Sequence, residues 1–434
     1  MNLLFSNDRR GVYPDSWYTA TTIQLPECDP LRGDMRADLC VIGGGYTGLW
    51  AALQAAQDGR DVVLVDAQRV GFGASGRNGG QVGTGFNTAQ SSLERKLGSQ
   101  DARDLWEMAE AAKRQVLEFC QAYAPETDYR AGVIQAIWHE RDTRASFEEA
   151  DYLRLRFGYD QITPLDRAQI SQVTGSQVFA GGLLDHGAGH LHPFRYAIAL
   201  ARVAKSAGVR IFEQSRVHRL TEGPPAIVHC DDGKIHAKDV IIATNGYGSG
   251  LHRRLSARVM PINNFMVATE PLGSLGSEIL TQNHAVADDK FVVNYFRKSE
   301  DGRLLFGGGE SYGYKFPSDI TGLVRPAIER VYPQLKGIRI DHSWGGTLAI
   351  TMSRLPFVAR LAPNILCAAG YSGQGVALSG FVGRLLAQAL VSDSPSLRLL
   401  DRLPTRPFPG GPALRSPLLA LAMTWYATRD KLGL

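Results

Sequence analysis

The sequence predicts an α/β protein in two parts: a discontinuous βαβ domain and an inserted α+β domain built on an antiparallel sheet. Three observations predict it. An apolar run at residues 37–42 (ADLCVI) leads through three glycines into a stretch of helical density, then into a second apolar run at 61–65 (DVVLV). Elements of the same kind return in separated blocks, near residues 37–90, 170–250 and 342–395. Between them, residues 291–306 alternate about an Asp301-Gly302 turn, the pattern of antiparallel sheet.

Bulk properties bound the reading. At 434 residues the chain is long for one core. A hydrophobic fraction of 44% and a charged fraction of 21% are those of an ordinary globular protein. A net charge of +4, with lysines and arginines scattered, excludes a nucleic-acid partner. Cys28, Cys40, Cys120, Cys230 and Cys367 lie far apart with no C-x-x-C pair, against a disulfide framework or a zinc site. Residues 1–17 have no sustained apolar core, and the longest apolar run, 417–427, is too short to span a bilayer. That run reads as a packed C-terminal helix, and the protein as cytoplasmic with no membrane span.

Taken in order, the helix after the first glycine turn ends at Gly59. A second helix covers residues 101–123, with Leu105, Met108, Ala112, Val116, Phe119 and Tyr123 on one face. Pro193 opens a third, with Ala197, Leu200 and Val203 inward and Gly208 at its end. Residues 209–212 resume as strand, 227–235 form a hairpin about Asp232-Gly233, and 240–244 (VIIAT) form a buried strand. Residues 365–369 are a late apolar strand, followed by a glycine turn and a helix. These elements assign residues 36–90, 170–255 and 342–395 to a nucleotide-binding domain and 91–169 and 256–341 to a substrate domain. Residues 396–434 form a C-terminal extension.

The glycines carry the first chemical signal. Gly43, Gly45 and Gly48 make G-x-G-x-x-G between a strand and a helix, and Asp66 ends the next strand. In a Rossmann-like βαβ unit such glycines allow a tight turn, approach of a pyrophosphate and close helix–strand packing, while the acid accepts from ribose hydroxyls. The helix N-terminus behind them favours an anion. Gly71, Gly73 and Gly76 fit the same formula without a strand before or a βαβ unit after. The stretch 71–81, GFGASGRNGGQ, holds five glycines in eleven residues, a density that predicts close approach of a ligand to the backbone. This local pattern alone leaves NAD and FAD open.

CVIGGGYTGLWAA, VDAQRVGFGASGRNGGQ, DHGAGHLHP, VIIATNGY, LLFGGG and AAGYSGQGVALSG occur in this order. Together they resemble the D-amino-acid oxidase/glycine oxidase superfamily of FAD-dependent oxidoreductases. The likeness is greatest to the branch that oxidises gamma-glutamylputrescine, and extends to PQLKGIRIDHSWGG, RPFPGG and WYATRDKLGL. The resemblance implies non-covalent FAD held by Gly43, Gly45, Tyr46, Thr47, Gly48 and Asp66. It implies Ala74, Ser75, Asn78, Gly79, Gly80 and Gln81 along the ribityl chain and ring, and Val217 at the adenine. Thr244 and Asn245 would sit by the pyrophosphate, and Gly373, Gln374, Gly375 and Val376 at the flavin pyrimidine.

It further implies a substrate wall of His192, Tyr295, Arg297 and Trp344, with Arg297 a candidate anion anchor. Two departures from sarcosine-type relatives stand out. The place of their carboxylate-binding basic residue is Ala377, and that of their flavin-tethering cysteine is Leu348. The expected function is FAD-dependent oxidation of an amine to an imine that hydrolyses to an aldehyde, with O2 the expected acceptor and H2O2 its product. Alternatives are an oxidase of N-substituted amino acids, a nicotinamide-dependent reductase, for which no second nucleotide fingerprint is found, and a non-catalytic nucleotide-binding protein.

Overall fold

The computed structural model describes residues 3–248, 250–311 and 313–409. The expected helix at 417–427 lies outside the described residues.

Two sheets organise the chain. The first is eight-stranded, with the path Phe357–Ala362, Ile365–Ala369, Gly233–Ile242, Gly33–Ile42, Val62–Val65 and Arg210–Phe212. Its central pairs are parallel, with Cys40 opposite both Val240 and Val63. Val62–Val65 and Ile365–Ala369 are buried along their whole length, as the continuous apolar runs of a covered parallel sheet should be. The expected hairpin and the expected strand at 240–244 are one element: Gly233–Ile242 pairs antiparallel with Ala226–Cys230 at its start and parallel with Ile365–Ala369 at its end.

The second sheet is nine-stranded, with the path Ile340–Ile350, Met260–Pro271, Arg303–Ser311, Tyr295–Lys298, Ala285–Asp288, Arg130–Ile137, Gly181–His190 and Gln81–Val82. Every pair on it is antiparallel except Ala285–Asp288 with Arg130–Ile137. Gln81–Val82, Gly181–His190 and Ile340–Ile350, drawn above with the nucleotide-binding segments, belong to this second sheet. The chain therefore crosses between sheets more often than the alternation of sequence blocks suggests. Of residues 291–306, only Tyr295–Lys298 and the start of Arg303–Ser311 are strand, so Phe291 lies before the ladder.

Tyr46–Gln57, Pro193–Ser206, Ser99–Tyr123 and Gly375–Gln388 pack in one apolar cluster with the first sheet. Leu105, Met108, Ala112, Val116 and Phe119 face inward as expected, but Tyr123 is 55% exposed because the helix ends there and its last turn overhangs the core. Val203 is only half-buried. Ser99–Tyr123, assigned above to the substrate segments, thus buries its apolar face with the first sheet's helices.

Candidate active site

One cavity of about 1460 Å³ runs between the sheets, above the roughly 300–1,000 Å³ of ordinary small-molecule pockets. It is lined by Gly43, Gly45, Tyr46, Thr47, Asp66 and Val217, by Ala74, Ser75, Asn78 and Gly79 with Thr244 and Asn245, and by Gly373, Gln374, Gly375 and Val376. Gln81, Tyr295 and Leu348 also line it. Most of the sequence-selected cofactor residues, drawn from distant parts of the chain, thus share one wall.

Two helices begin at this wall. Tyr46–Gln57 starts after Gly45 and Gly375–Gln388 after Gln374, and neither cap residue supplies a side-chain hydrogen bond. Each presents the positive end of its dipole to the cavity. Tyr371 ties them together, its hydroxyl 2.8 Å from Thr47 Oγ1. Gly43 turns at φ +112°, a conformation that side chains rarely adopt, and a Cβ there would meet the Ala243 carbonyl oxygen at 2.7 Å. Gly48 lies behind the wall; a Cβ on it would come within 1.8 Å of the Gly43 carbonyl oxygen, so its role is the close helix–strand packing expected of the third glycine.

Asp66 is held differently from expectation. Its Oδ2 accepts from Gly44 N at 2.6 Å and its Oδ1 from Gln68 N at 2.7 Å, so the carboxylate braces the glycine turn itself. Burial pushes its carboxyl up to about 6, the two backbone N–H donors opposing and nearby Glu213 adding to the rise.

The glycine-rich stretch is packed against the protein. A Cβ on Gly71 would strike Ala197, one on Gly76 the Gly71 carbonyl and Phe194, and one on Gly80 the Leu191 carbonyl at 2.0 Å. A Cβ on Gly79 would enter the Tyr295 ring at 2.6 Å, and one on Gly45 would approach Ser75 Oγ at 2.9 Å. These glycines let a turn lie flat on its neighbours so that its other side forms the wall. The expectation that a ligand itself demands them is corrected to that extent. Ser75 Oγ accepts from Tyr46 N at 3.1 Å, which seats the turn on the first helix N-terminus. Asn78 accepts from Gly80 N at 2.7 Å and donates to the Ala74 carbonyl at 2.9 Å.

The expected substrate wall is only partly present. Tyr295 lines the cavity, its ring between Gly79 and Gly307 and its hydroxyl bonded to Asn264 Oδ1. His192, Arg297 and Trp344 do not line it. His192 caps the helix Pro193–Ser206, accepting from Arg195 N, and is wedged against Trp17 and Tyr18. Burial, with the charges of Arg195 and Arg297, holds its imidazole well below the usual range and therefore neutral. Trp344 donates to the Arg77 carbonyl at 3.1 Å and packs on Tyr18. Arg297 is 5% exposed, and its Nε donates to the Gly79 carbonyl at 3.1 Å from behind the wall. A loop that looks substrate-facing in sequence is filled here by the N-terminal segment.

That segment is what sequence reasoning missed. Leu3 and Leu4 line the cavity, Asp8 pairs with buried Arg77 at 3.1 Å, and Tyr13 donates to the Val70 carbonyl. Residues 3–32 have no strong periodicity, and their partners lie far along the chain, so no local pattern could have placed them. Glu213 was missed likewise: fully buried, it accepts from the backbone of Cys28 and Val70 and pairs with Arg69. Tyr247 and Tyr371 also line the cavity, and each directly neighbours a glycine signal that could have drawn attention to it.

The βαβ turn, the braced acid and the paired helix N-termini on one cavity define a dinucleotide-binding protein. The chain belongs to the DAO family of FAD dependent oxidoreductases, whose family model matches residues 38–389. It is 41% identical to the Probable oxidoreductase OrdL of Rhizobium meliloti (strain 1021), over 96% of this chain and 97% of that one. It is 37% identical to the Gamma-glutamylputrescine oxidoreductase of Escherichia coli (strain K12), over 97% of this chain and 99% of that one. Among solved structures, the glycine oxidase of Geobacillus kaustophilus shares the fold, with a TM-score of 0.69 at 21% identity, covering 83% of this chain and 96% of that one. The residues present fit FAD. The open helix N-termini suit its pyrophosphate and pyrimidine, and Thr244 Oγ1, buried on the wall, has no hydrogen-bond partner in the protein.

Proposed function

We propose that this FAD-dependent oxidoreductase oxidises the terminal C–N bond of a gamma-glutamylated diamine or a similar long amine, and that O2 reoxidises the flavin. The observation that carries the reading is Ala377: the place where sarcosine-type relatives hold a carboxylate is here an uncharged residue, 2% exposed inside a helix. Glu149, Asp185, Asp288 and Glu310 line the cavity together with Arg216, Lys290 and Arg354, so the lining offers partners for both the amine and the distant carboxylate of such a substrate. The name of the Escherichia coli relative supports the same substrate class.

In this reading Gly43, Gly45, Tyr46 and Thr47 hold the pyrophosphate, Asp66 a ribose and Val217 the adenine. Ala74, Ser75, Asn78, Gly79 and Gln81 flank the ribityl chain and ring, and Gly373 to Val376 face the pyrimidine. Leu348 offers no thiol, so the cofactor is bound without a covalent link. Bound FAD supplies the two-electron acceptance that turns amine into imine, which water hydrolyses to an aldehyde. The chain's part is to bind, orient and desolvate. Tyr295 and Leu183 shield the amine from water, and lost hydration favours the neutral form from which oxidation proceeds. Most of the rate enhancement is then positioning. An anaerobic screen of amines and N-substituted amino acids tests this. Loss of flavin absorbance should be fastest with long acylated diamines; fastest loss with sarcosine or an iminodiacid would overturn it.

A further inference from the structure

Arg297 is a buried cation without a counter-charge. It makes no ion pair among the described residues. Its Nε donates to the Gly79 carbonyl at 3.1 Å and its Nη1 to the Lys298 carbonyl at 3.4 Å, while its Nη2 is buried with no partner. The guanidinium carbon lies 5.9 Å from the centre of the Tyr18 ring, and the arginine also interacts with the buried, uncharged Tyr18 hydroxyl. The groups around it carry no compensating charge. Burial, reinforced by Arg297, brings His190 down to about 3, and His192 is depressed as well, so both imidazoles are neutral. Tyr18 stays protonated, because burial raises its phenol more than Arg297 lowers it. An unpaired guanidinium in such surroundings is costly unless something gains from its field.

Only one thickness of backbone separates it from the cavity. Gly79 lines the cavity on one side, and its carbonyl accepts from Arg297 on the other. The Gly80 N–H of the same peptide unit is held by Asn78 Oδ1 at 2.7 Å, so that peptide is fixed at both ends. Gly79 also touches the Tyr295 ring, in the part of the wall where the substrate and the reacting end of the cofactor meet in the reading above.

We propose that Arg297 is a positioning residue that sets the electron affinity of the bound flavin: its unpaired charge, aimed through the Gly79 peptide, favours the negative charge the ring gains on reduction. The position predicted from sequence to clamp a substrate carboxylate thus acts on the cofactor from behind the wall. The proposal rests on FAD being bound here, and not on which amine is the substrate.

The test is the midpoint potential of the holoenzyme, measured by equilibration with a reference dye, together with the affinity of the oxidised enzyme for sulfite. Neither needs a substrate, so a wrong substrate assignment leaves the result untouched. Arg297→Gln keeps a donor for the Gly79 carbonyl but removes the charge. It should weaken sulfite binding about tenfold or more and lower the potential by about 30 mV, the equivalent of a tenfold shift for a two-electron couple. Arg297→Lys should hold the wild-type values at neutral pH. As pH rises and the buried amine loses its proton, its potential should fall below that of the wild type. A merely structural arginine would alter flavin retention or melting temperature while leaving the retained flavin's potential unchanged. Wild-type potential and sulfite affinity in Arg297→Gln would overturn the proposal. If the glutamine variant does not fold with flavin, Arg297→Met with retained flavin at the wild-type potential would overturn it equally.

Discussion

With Asp66 at the ribose, the flavin's affinity should depend on pH, and the size of the effect follows from its surroundings. Without flavin, burial outweighs two backbone N–H bonds and holds the carboxyl at about 6. Ribose hydroxyls donating to the same oxygens would stabilise the charged form and bring the value back towards about 4, the ordinary range. Flavin then binds the ionised carboxylate, so its affinity should fall about tenfold per pH unit as pH drops from about 6 to about 4. The full span is about 2.7 kcal/mol. The apoprotein should respond in the opposite sense. A carboxyl raised in the folded state keeps its proton there longer than in the unfolded chain. Its contribution to stability is therefore present below about pH 4 and lost as pH rises through about 6. The assay is FAD titration of apoprotein from pH 8 to pH 4.5, followed by flavin fluorescence, for wild type and Asp66→Asn. The asparagine variant should bind more weakly at pH 8 and show a much flatter profile. A pH-independent wild type, or an asparagine variant with wild-type affinity at pH 8, would refute the assignment of Asp66 to the ribose.

Other perturbations follow from the same wall. Gly48→Ala places a methyl 1.8 Å from the Gly43 carbonyl oxygen and must push helix from strand, at a cost of about 1–3 kcal/mol or more. It should abolish flavin retention, and Gly45→Ala, whose methyl would crowd Ser75 Oγ and the place where the pyrophosphate approaches, should weaken it as well; undiminished retention in either variant would contradict the reading. Acid precipitation should release all the flavin into the supernatant, and colour left in the pellet would show a covalent link. Asp8→Ala leaves the buried Arg77 guanidinium without its carboxylate and should lower stability by about 3 kcal/mol, as when one partner of a buried pair is removed. An unchanged melting temperature would show that this ion pair is dispensable.

What could be read from the sequence was local. The turns at Gly43–Gly48 and into Gly375–Gln388 announce themselves by glycines after an apolar strand, Asp66 by its place at the end of the next strand, and the residue 71–81 stretch by glycine density alone; residues of each line the cavity. What could not be read was contact between segments far apart in the chain. His192, Arg297 and Trp344 stand in the substrate wall that the family resemblance implies. The N-terminal segment, with Trp17 and Tyr18 packed against that cluster, puts all three behind the wall. Sheet membership failed for a similar reason. Glycine-rich Gly181–His190 shows no strand pattern in the sequence, and only its partners Arg130–Ile137 and Gln81–Val82 reveal it as a strand of the second sheet. The density of glycines at 71–80 points to close approach of a ligand, but the atoms that come close to Gly71, Gly76, Gly79 and Gly80 are the protein's own Ala197, Phe194, Leu191 and Tyr295.

The central claim is that this flavin oxidises a long acylated diamine at its amine end. It is tested most directly by mixing anaerobic holoenzyme with gamma-glutamylputrescine, putrescine, sarcosine and glycine in turn and measuring the second-order rate constant of flavin reduction, with trapping of the aldehyde product. The account predicts that gamma-glutamylputrescine gives the largest constant by at least about tenfold, a difference of about 1.4 kcal/mol in transition-state binding, and yields an aldehyde with the gamma-glutamyl group intact. A larger constant for sarcosine or glycine, or reduction without aldehyde, would contradict it.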